Sequence, residues 1–417
     1  MSTPTAVQRP IADADDLATP SALALVARQP IYGSAMTVVA YELLYADPVA
    51  PAAATDATLR VVTDAALEIG LDRLAGGLPV HINYPAQLLA ARPLLSLHSD
   101  RVVIEVLQED AENAGLIDGI RALRERGHRL ALDDYSPERG TPALLDLVDI
   151  VKFDVTRHTP DKLRQLAPAL VRRGLRLIAE KVDTIEQFEH CHQIGFEGFQ
   201  GDFLERPQTF AAQRVPSSRL GTLRLVAAMQ NEDYSIEEVE RLVSQDLSIS
   251  YRVLRCINSS YYSLPRRVQS IRQAIVILGI ESLRQLCALV ALQGFEARPP
   301  SLFVTAMARA RMCEQLGRLA GAVETGGYFI TGLFSLLDVL TGIPTAQIVD
   351  ELPLAAPVER ALVAEEGEMG AALKCVRAYE RAAWRDVAFG TVSAELIRAA
   401  YVDAVFWAEQ AQALVAH

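Results

Sequence analysis

DIVKFDVTRHTPDKLRQLAPALVRRGLRLIAEKV, residues 149–182, carries two short apolar runs, Asp149–Val155 and Arg176–Val182, on either side of a helix-period stretch at Thr159–Gly174. A helix between two buried strands is a βα unit, and its repetition closes a barrel. The pattern extends in both directions. VVAYELL (38–44), PVHINY (79–84), RVVIEVL (101–107), RLALDDY (129–135) and GFQGDFL (198–204) are further strand-like runs. Helical stretches are predicted at Asp56–Gly70, Asp110–Gly127 and Thr184–Gly195. An eighth run, LALVARQPIY (23–32), precedes VVAYELL across the turn signal Gly33-Ser34, so this pair is expected to be antiparallel. The fold class is therefore an α/β (β/α)8 barrel of TIM type whose first strand is antiparallel.

Each of the seven later runs has a polar residue at or near its C-terminal end: Glu42, Asn83, Glu105, Asp133 with Asp134, Lys152, Glu180 and Gln200. Parallel strands bring these ends to one face, so residues remote in sequence converge. Five carboxylates at one mouth repel unless protons or metal ions compensate. Carboxylate and amide oxygens suit Mg²⁺ or Mn²⁺, which polarise phosphoryl oxygens and generate hydroxide. A lysine beside them orients water or neutralises phosphate. Any one of these residues alone has a plainer role, as a helix cap or a rim ion-pair partner. The signal is the set.

Beyond Leu204 come Arg206-Pro207 and Pro216-Ser217-Ser218, and then only helical patterns. Ser235 and Glu238 form a predicted capping box for a helix through Gln245, Ile249–Ile257 is amphipathic, Ser270 caps Ile271–Leu278 before Gly279, and Glu281–Leu292 follows. Gly342–Pro357 reads as a surface loop around a short helix. The expected division is a disordered segment 1–20, a barrel 21–207 and an all-α region 208–417. The 417 residues carry a formal net charge of −12, which argues against direct nucleic-acid binding, since phosphate backbones require a basic face. No run approaches the ~20 apolar residues of a membrane helix. No signal-peptide pattern opens the chain, and the five scattered cysteines fit reduced thiols; the expected location is cytoplasmic.

On these residues, 24–207 resembles the EAL family of cyclic di-GMP phosphodiesterases. Glu42-Leu43-Leu44 stands at the Glu-Ala-Leu motif. The resemblance implies metal ligands at Glu42, Asn83, Glu105 and Asp133, catalytic roles in an active domain for Lys152, Glu180 and the second acidic position Asp134, and ligand binding by Gln200 and Glu42. The departures are specific. Ala46, with Asp47 beside it, replaces the motif's phosphate-holding arginine. The loop after the Asp pair is Tyr135-Ser136-Pro137-Glu138-Arg139-Gly140 rather than glycine-rich, and Gln108, with Glu109 adjacent, replaces the glutamate that anchors it. AEGVE has become Ala179-Glu180-Lys181-Val182-Asp183, and QGY has become Gln200-Gly201-Asp202.

Residues 217–292 resemble the HDOD domain, on Val243-Ser244-Gln245-Asp246, Leu254–Tyr262 and Ser270–Gly279. The pairing resembles the YuxH-type EAL–HDOD regulators of bacteria. HD-type hydrolases need several histidines, yet none occurs between His192 and His417, and the ancestral His-Asp position reads Gly332–Asp338. The helical region is therefore expected to require no metal. Its aromatic and arginine-bearing turn, with Tyr261, Tyr262, Arg266 and Arg267, is expected to bind an unidentified signalling protein. The tyrosines packing their own turn is the plain alternative. The leading expectation is a signal-transduction regulator with a degenerate, catalytically inactive EAL domain; the alternatives are an active cyclic di-GMP phosphodiesterase and a non-hydrolysing cyclic di-GMP receptor.

Overall fold

A computed structural model describes residues 25–46, 71–84, 89, 101–108, 115–139, 142–204, 217–229, 234–258, 268–292 and 299–415. Eight strands close a barrel in chain order: β1 Leu25–Gly33, β2 Val38–Ala46, β3 Val80–Asn83, β4 Val102–Leu107, β5 Arg129–Asp133, β6 Ile150–Asp154, β7 Arg176–Glu180 and β8 Gly198–Phe199. β1 is antiparallel to both β2 and β8, and the other pairs are parallel. The predicted strands and the antiparallel start are all present. The segments 1–20 and 56–70 lie outside the described residues, as does 110–114 of the helix expected over 110–127.

The apolar runs look continuous because parallel strands are buried on both faces. Their two faces are separate clusters. Val80, Ile82, Val102, Ile104, Leu130, Leu132, Val151, Phe153, Leu177 and Phe199 face outward into the main core. Ile31, Ala40, Val103, Ala131, Ile150 and Ile178 fill the barrel interior. Side chains alternate with a period of two. Two residues after Ala40, Val103, Ala131, Ile150 and Ile178 come Glu42, Glu105, Asp133, Lys152 and Glu180, on the same inward face. In the antiparallel β1 the matching residue is two before Ile31, namely Gln29, which pairs in register with Glu42. The apolar layer is thus the floor on which the polar set stands.

Around the barrel lie α1 Leu71–Ala75, α2 Leu116–Glu125, α3 Pro142–Leu145, α4 Pro160–Arg172 and α5 Ile185–Gln193. Thr159 Oγ1 accepts from Lys162 N at the start of α4, and Thr184 with Gln187 forms a capping box on α5. Every element from Ser217 onward is helical: α6 Ser217–Met229, α7 Ile236–Gln245, α8 Leu247–Ile257, α9 Ile271–Leu278, α10 Ile280–Leu292, α11 Pro300–Leu319, α12 Gly326–Phe334, α13 Leu337–Thr341, α14 Thr345–Val349, α15 Ala356–Ala364, α16 Gly367–Glu380 and α17 Ala394–Val415. The Ser235–Glu238 capping box and the Ser270 cap form as expected, and α9 stops at Gly279 with φ 83°. The 342–357 stretch does surround a short helix, α14, although Ile348, Val349 and Leu352 are buried.

β1 runs into β2 through the turn at 34–37 with no helix between them, and α16 and α17, from the far end of the chain, pack against it. Tyr379 Oη donates to Val26 O at 3.1 Å, and Arg28 N donates to Tyr401 Oη at 3.2 Å. The buried Arg28 guanidinium donates to Leu74 O at 2.6 Å and Glu409 Oε1 at 2.8 Å, and lies 4.0 Å from the Tyr41 ring centroid. No helix among the described residues is long and apolar enough to cross a membrane.

Candidate functional site

Lys152 organises the interior. Its ammonium donates to Glu42 Oε2 at 2.8 Å and lies 2.8 Å from Glu105 Oε1 and 2.7 Å from Glu180 Oε1. Lys152 and Glu105 are both 0% exposed. Asn83 Nδ2 donates to Glu42 Oε1 at 2.7 Å, so both oxygens of Glu42 are engaged. Gln200 Nε2 donates to Glu42 Oε2 at 2.8 Å and to Gln29 Oε1 at 2.7 Å, while Gln200 Oε1 is buried without a hydrogen-bond partner. Below them His81 Nδ1 and Glu105 Oε1 are 2.7 Å apart.

The charges are unbalanced. Glu42, Glu105, Glu180 and the neighbouring Asp133 are four carboxylates around one ammonium. Burial alone would raise Glu42, but the Lys152 charge and the hydrogen bonds from Lys152 and Gln200 hold it below the ordinary carboxylate range. Burial and then the Glu42 charge push Glu105 well above that range, against the pull of Lys152. Burial does the same to Glu180, again opposed by Lys152. Burial would lower Lys152, but Glu105, Glu180 and Glu42 hold its pKa well above normal, so it stays charged. Burial, then Lys152, lower His81 to about 3. His81 is therefore neutral, and its contact with Glu105 is a hydrogen bond rather than an ion pair.

The rim is held differently. Asp134 adopts φ 51° beyond the end of β5, and Asp133 Oδ1 accepts its N–H at 2.7 Å. Arg157 Nη1 donates to both Asp134 oxygens at 2.6 Å, and Arg139 Nη1 lies 3.4 Å from Oδ2. Lys181, at the glycine of the AEGVE motif, has φ 55° and reaches Asp154 Oδ2 at 2.6 Å. That conformation costs a side chain about 1–2 kcal/mol. The loop at 135–139 is not loose. Gln108 Oε1 accepts Ser136 N at 2.6 Å and Gln108 Nε2 donates to Ser136 O at 3.0 Å. A carboxylate can only accept, so the change from glutamate leaves the anchor in place and adds a second bond.

The inner oxygens fit a hard divalent cation. Glu42, Asn83, Glu105 and Asp133 are the oxygen donors that Mg²⁺ and Mn²⁺ prefer, and an added cation would favour the ionised form of carboxyls that crowd around one ammonium. Lys152 stands among them, and the described residues contain no closed group of three acidic, His or Cys ligands. Asp134 does not fit a second ion in this arrangement, because its carboxylate already serves Arg157 and Arg139.

The eight sequence-derived residues of the barrel thus lie at one end of it, with Asp134 on the rim apart from the Lys152 cluster. Glu42, Glu105 and Lys152 sit inside their strands rather than at the ends. His81 and Gln29 escaped the sequence reading, although both lie on the inward face at period two. Arg139, Arg157 and Asp154 also escaped it; loop arginines carry no periodic signal. Glu109, Asp47 and the turn with Tyr261, Tyr262, Arg266 and Arg267 lie outside the described residues. In the helical region Arg377 Nη2 donates to Ser335 O at 3.1 Å, and Asp338 lies in the field of Arg377 and Arg309.

Residues 216–343 match the HDOD domain. YuxH of Bacillus subtilis is 30% identical over 372 residues, covering 86% of this chain and 91% of that protein. The cyclic di-GMP phosphodiesterase CdgJ of Vibrio cholerae is 31% identical over 371 residues, covering 87% and 86%. Among solved structures, a calcium and cyclic di-GMP complex of Klebsiella pneumoniae BlrP1 aligns at 24% identity and TM-score 0.38, over 44% of this chain and 56% of that one. Bacillus subtilis YkuI, which has an EAL domain, aligns at 17% identity and TM-score 0.37, over 53% and 72%. The HDOD match and the two relatives spanning most of the chain carry the assignment: this chain belongs to the YuxH-type family of EAL–HDOD proteins.

Proposed function

We propose that this protein is a cyclic di-GMP signalling regulator whose barrel does not hydrolyse the dinucleotide and whose helical region passes the signal to a protein partner. One observation carries the reading. Asp134, the second acidic position of the mouth, is held through both oxygens by Arg157 and approached by Arg139. Two-ion phosphodiester hydrolysis needs carboxylates free to bridge or hold both cations. In this reading a single Mg²⁺ or Mn²⁺ is held by Glu42, Asn83, Glu105 and Asp133, and when bound it neutralises ligand phosphate. Lys152 and Glu180 hold the inner charge network together, and Gln200 with Glu42 contacts the ligand.

The test is a chromatographic assay of cyclic di-GMP turnover with Mg²⁺ or Mn²⁺. We expect none above the blank. Turnover that disappears in Glu42→Ala would refute the reading and make the protein a phosphodiesterase, the activity in the name of its relative CdgJ. The buried, unpartnered Gln200 Oε1 favours a non-hydrolysing receptor over a barrel that binds nothing, because such an acceptor calls for a donor from a ligand or water. Calorimetric heat without product identifies that receptor. The partner surface is assigned to the turn with Tyr261, Tyr262, Arg266 and Arg267, and a folded Tyr262→Ala/Arg266→Ala protein that keeps its partner would remove the assignment.

A further inference from the structure

A cavity of about 380 Å³ opens beside the barrel mouth, between the loop after β5 and the turn leading into α4. That volume falls within the range of small-molecule sites, about 300–1,000 Å³. Its charged lining is Arg139, Arg157 and Lys162 against Asp134 and Glu138, so cations are in excess. Each cation is tied by an ion pair at the surface, Arg157 to Asp134 at 2.6 Å, Arg139 to Asp134 at 3.4 Å and Lys162 to Glu138 at 3.2 Å, and Arg157 Nε also lies 3.3 Å from Oδ2 of the buried Asp154. The three cationic side chains are 55%, 38% and 41% exposed. Exposed pairs of this kind are weakly held. Arg157 also meets Asp134 through a single nitrogen, Nη1, rather than through two parallel bonds. A guanidinium bonds most strongly when two of its N–H groups face two oxygens.

We propose that this cavity binds a phosphate-bearing anion through Arg139, Arg157 and Lys162, in competition with Asp134. A phosphate offers more charge than one carboxylate and enough oxygens for both guanidinium forks. The site stands independently of whether the barrel centre binds cyclic di-GMP.

The experiment is calorimetry on the full chain in metal-free, low-salt buffer, with pyrophosphate, GMP and cyclic di-GMP as separate probes. Saturable binding is expected, weakened tenfold or more in Arg139→Ala/Arg157→Ala and a few-fold in Lys162→Ala. Arg164→Ala is the control, an exposed arginine on the same helix that pairs with Asp161 away from the cavity; it should change nothing. Asp134→Asn should tighten binding several-fold by removing the internal competitor, and asparagine tolerates the backbone at φ 51°. Equal binding of pyrophosphate and GMP indicates a free-phosphate site, and a preference for GMP indicates a nucleotide site. No saturable heat with either, a loss in Arg164→Ala equal to that in the double variant, or no gain in Asp134→Asn overturns the proposal. Cyclic di-GMP heat that survives the double variant but not Glu42→Ala reports the barrel centre instead, so the two readings fail separately.

Discussion

Replacing Lys152 by methionine keeps an unbranched side chain, one atom shorter, and removes the cation that Glu42, Glu105 and Glu180 share. Glu42 is held ionised against its burial chiefly by that ammonium. Without it, Glu42 must either stay charged and unpaired or take up a proton in the folded state. Protonation is the cheaper course. Its cost is about 1.36 kcal/mol for each pH unit above the free glutamate pKa of about 4.3. The loss is therefore ~3.7 kcal/mol at pH 7 and ~1 kcal/mol at pH 5, in line with the roughly 3–5 kcal/mol for breaking a buried ion pair. The sign follows the direction of the shifts. Glu105 and Glu180 already have folded pKa values raised above their unfolded ones. Carboxyls of this kind contribute stability below the unfolded pKa and lose it as pH rises through the folded pKa. In Lys152→Met, Glu42 joins them, so the deficit against the parent protein widens from pH 5 to pH 7. Thermal unfolding followed by near-ultraviolet circular dichroism at the two pH values measures it. At about 2–4 °C per kcal/mol for a domain of this size, the Tm difference is roughly 7–15 °C at pH 7 and a few degrees at pH 5. A variant matching the parent at pH 7, or a deficit of equal size at both pH values, would refute the role given to Lys152.

Two further substitutions test how the barrel is built. Arg28→Met removes the guanidinium hydrogen bonds to Leu74 O and Glu409, and urea unfolding should show a loss of about 2–4 kcal/mol; a change under ~0.5 kcal/mol would mean that α17 does not brace β1 through this residue. Gly201 has φ 145°, and an added Cβ would lie 2.2 Å from Val182 O and 2.5 Å from Val182 N, both backbone atoms. Gly201→Ala should therefore cost about 3 kcal/mol or more and displace Gln200, and unchanged unfolding with unchanged ligand binding would contradict that close approach.

Local physics made much of this protein legible from its sequence. Short apolar runs between helix-period stretches specify buried parallel strands, because a strand covered on both faces needs no polar alternation; that sufficed for eight strands and the antiparallel first pair. The caps at Ser235 and Ser270 were readable because capping depends on residues three apart. The convergence of Glu42, Asn83, Glu105, Asp133, Lys152, Glu180 and Gln200 followed from strand polarity. Tertiary structure decided the charge state and the partners of that set. Only the closed barrel puts Lys152 within bonding distance of three glutamates from different strands, and burial there, together with the neighbouring carboxylates, raises Glu105 and Glu180. The same holds for Gln108, which reads as a loss in the sequence yet clasps Ser136, and for Arg157, whose hold on Asp134 depends on two loops meeting in space. The covering of β1 by helices more than 300 residues away in sequence is likewise non-local, since Arg28 and Glu409 are 381 positions apart and no periodicity spans that distance.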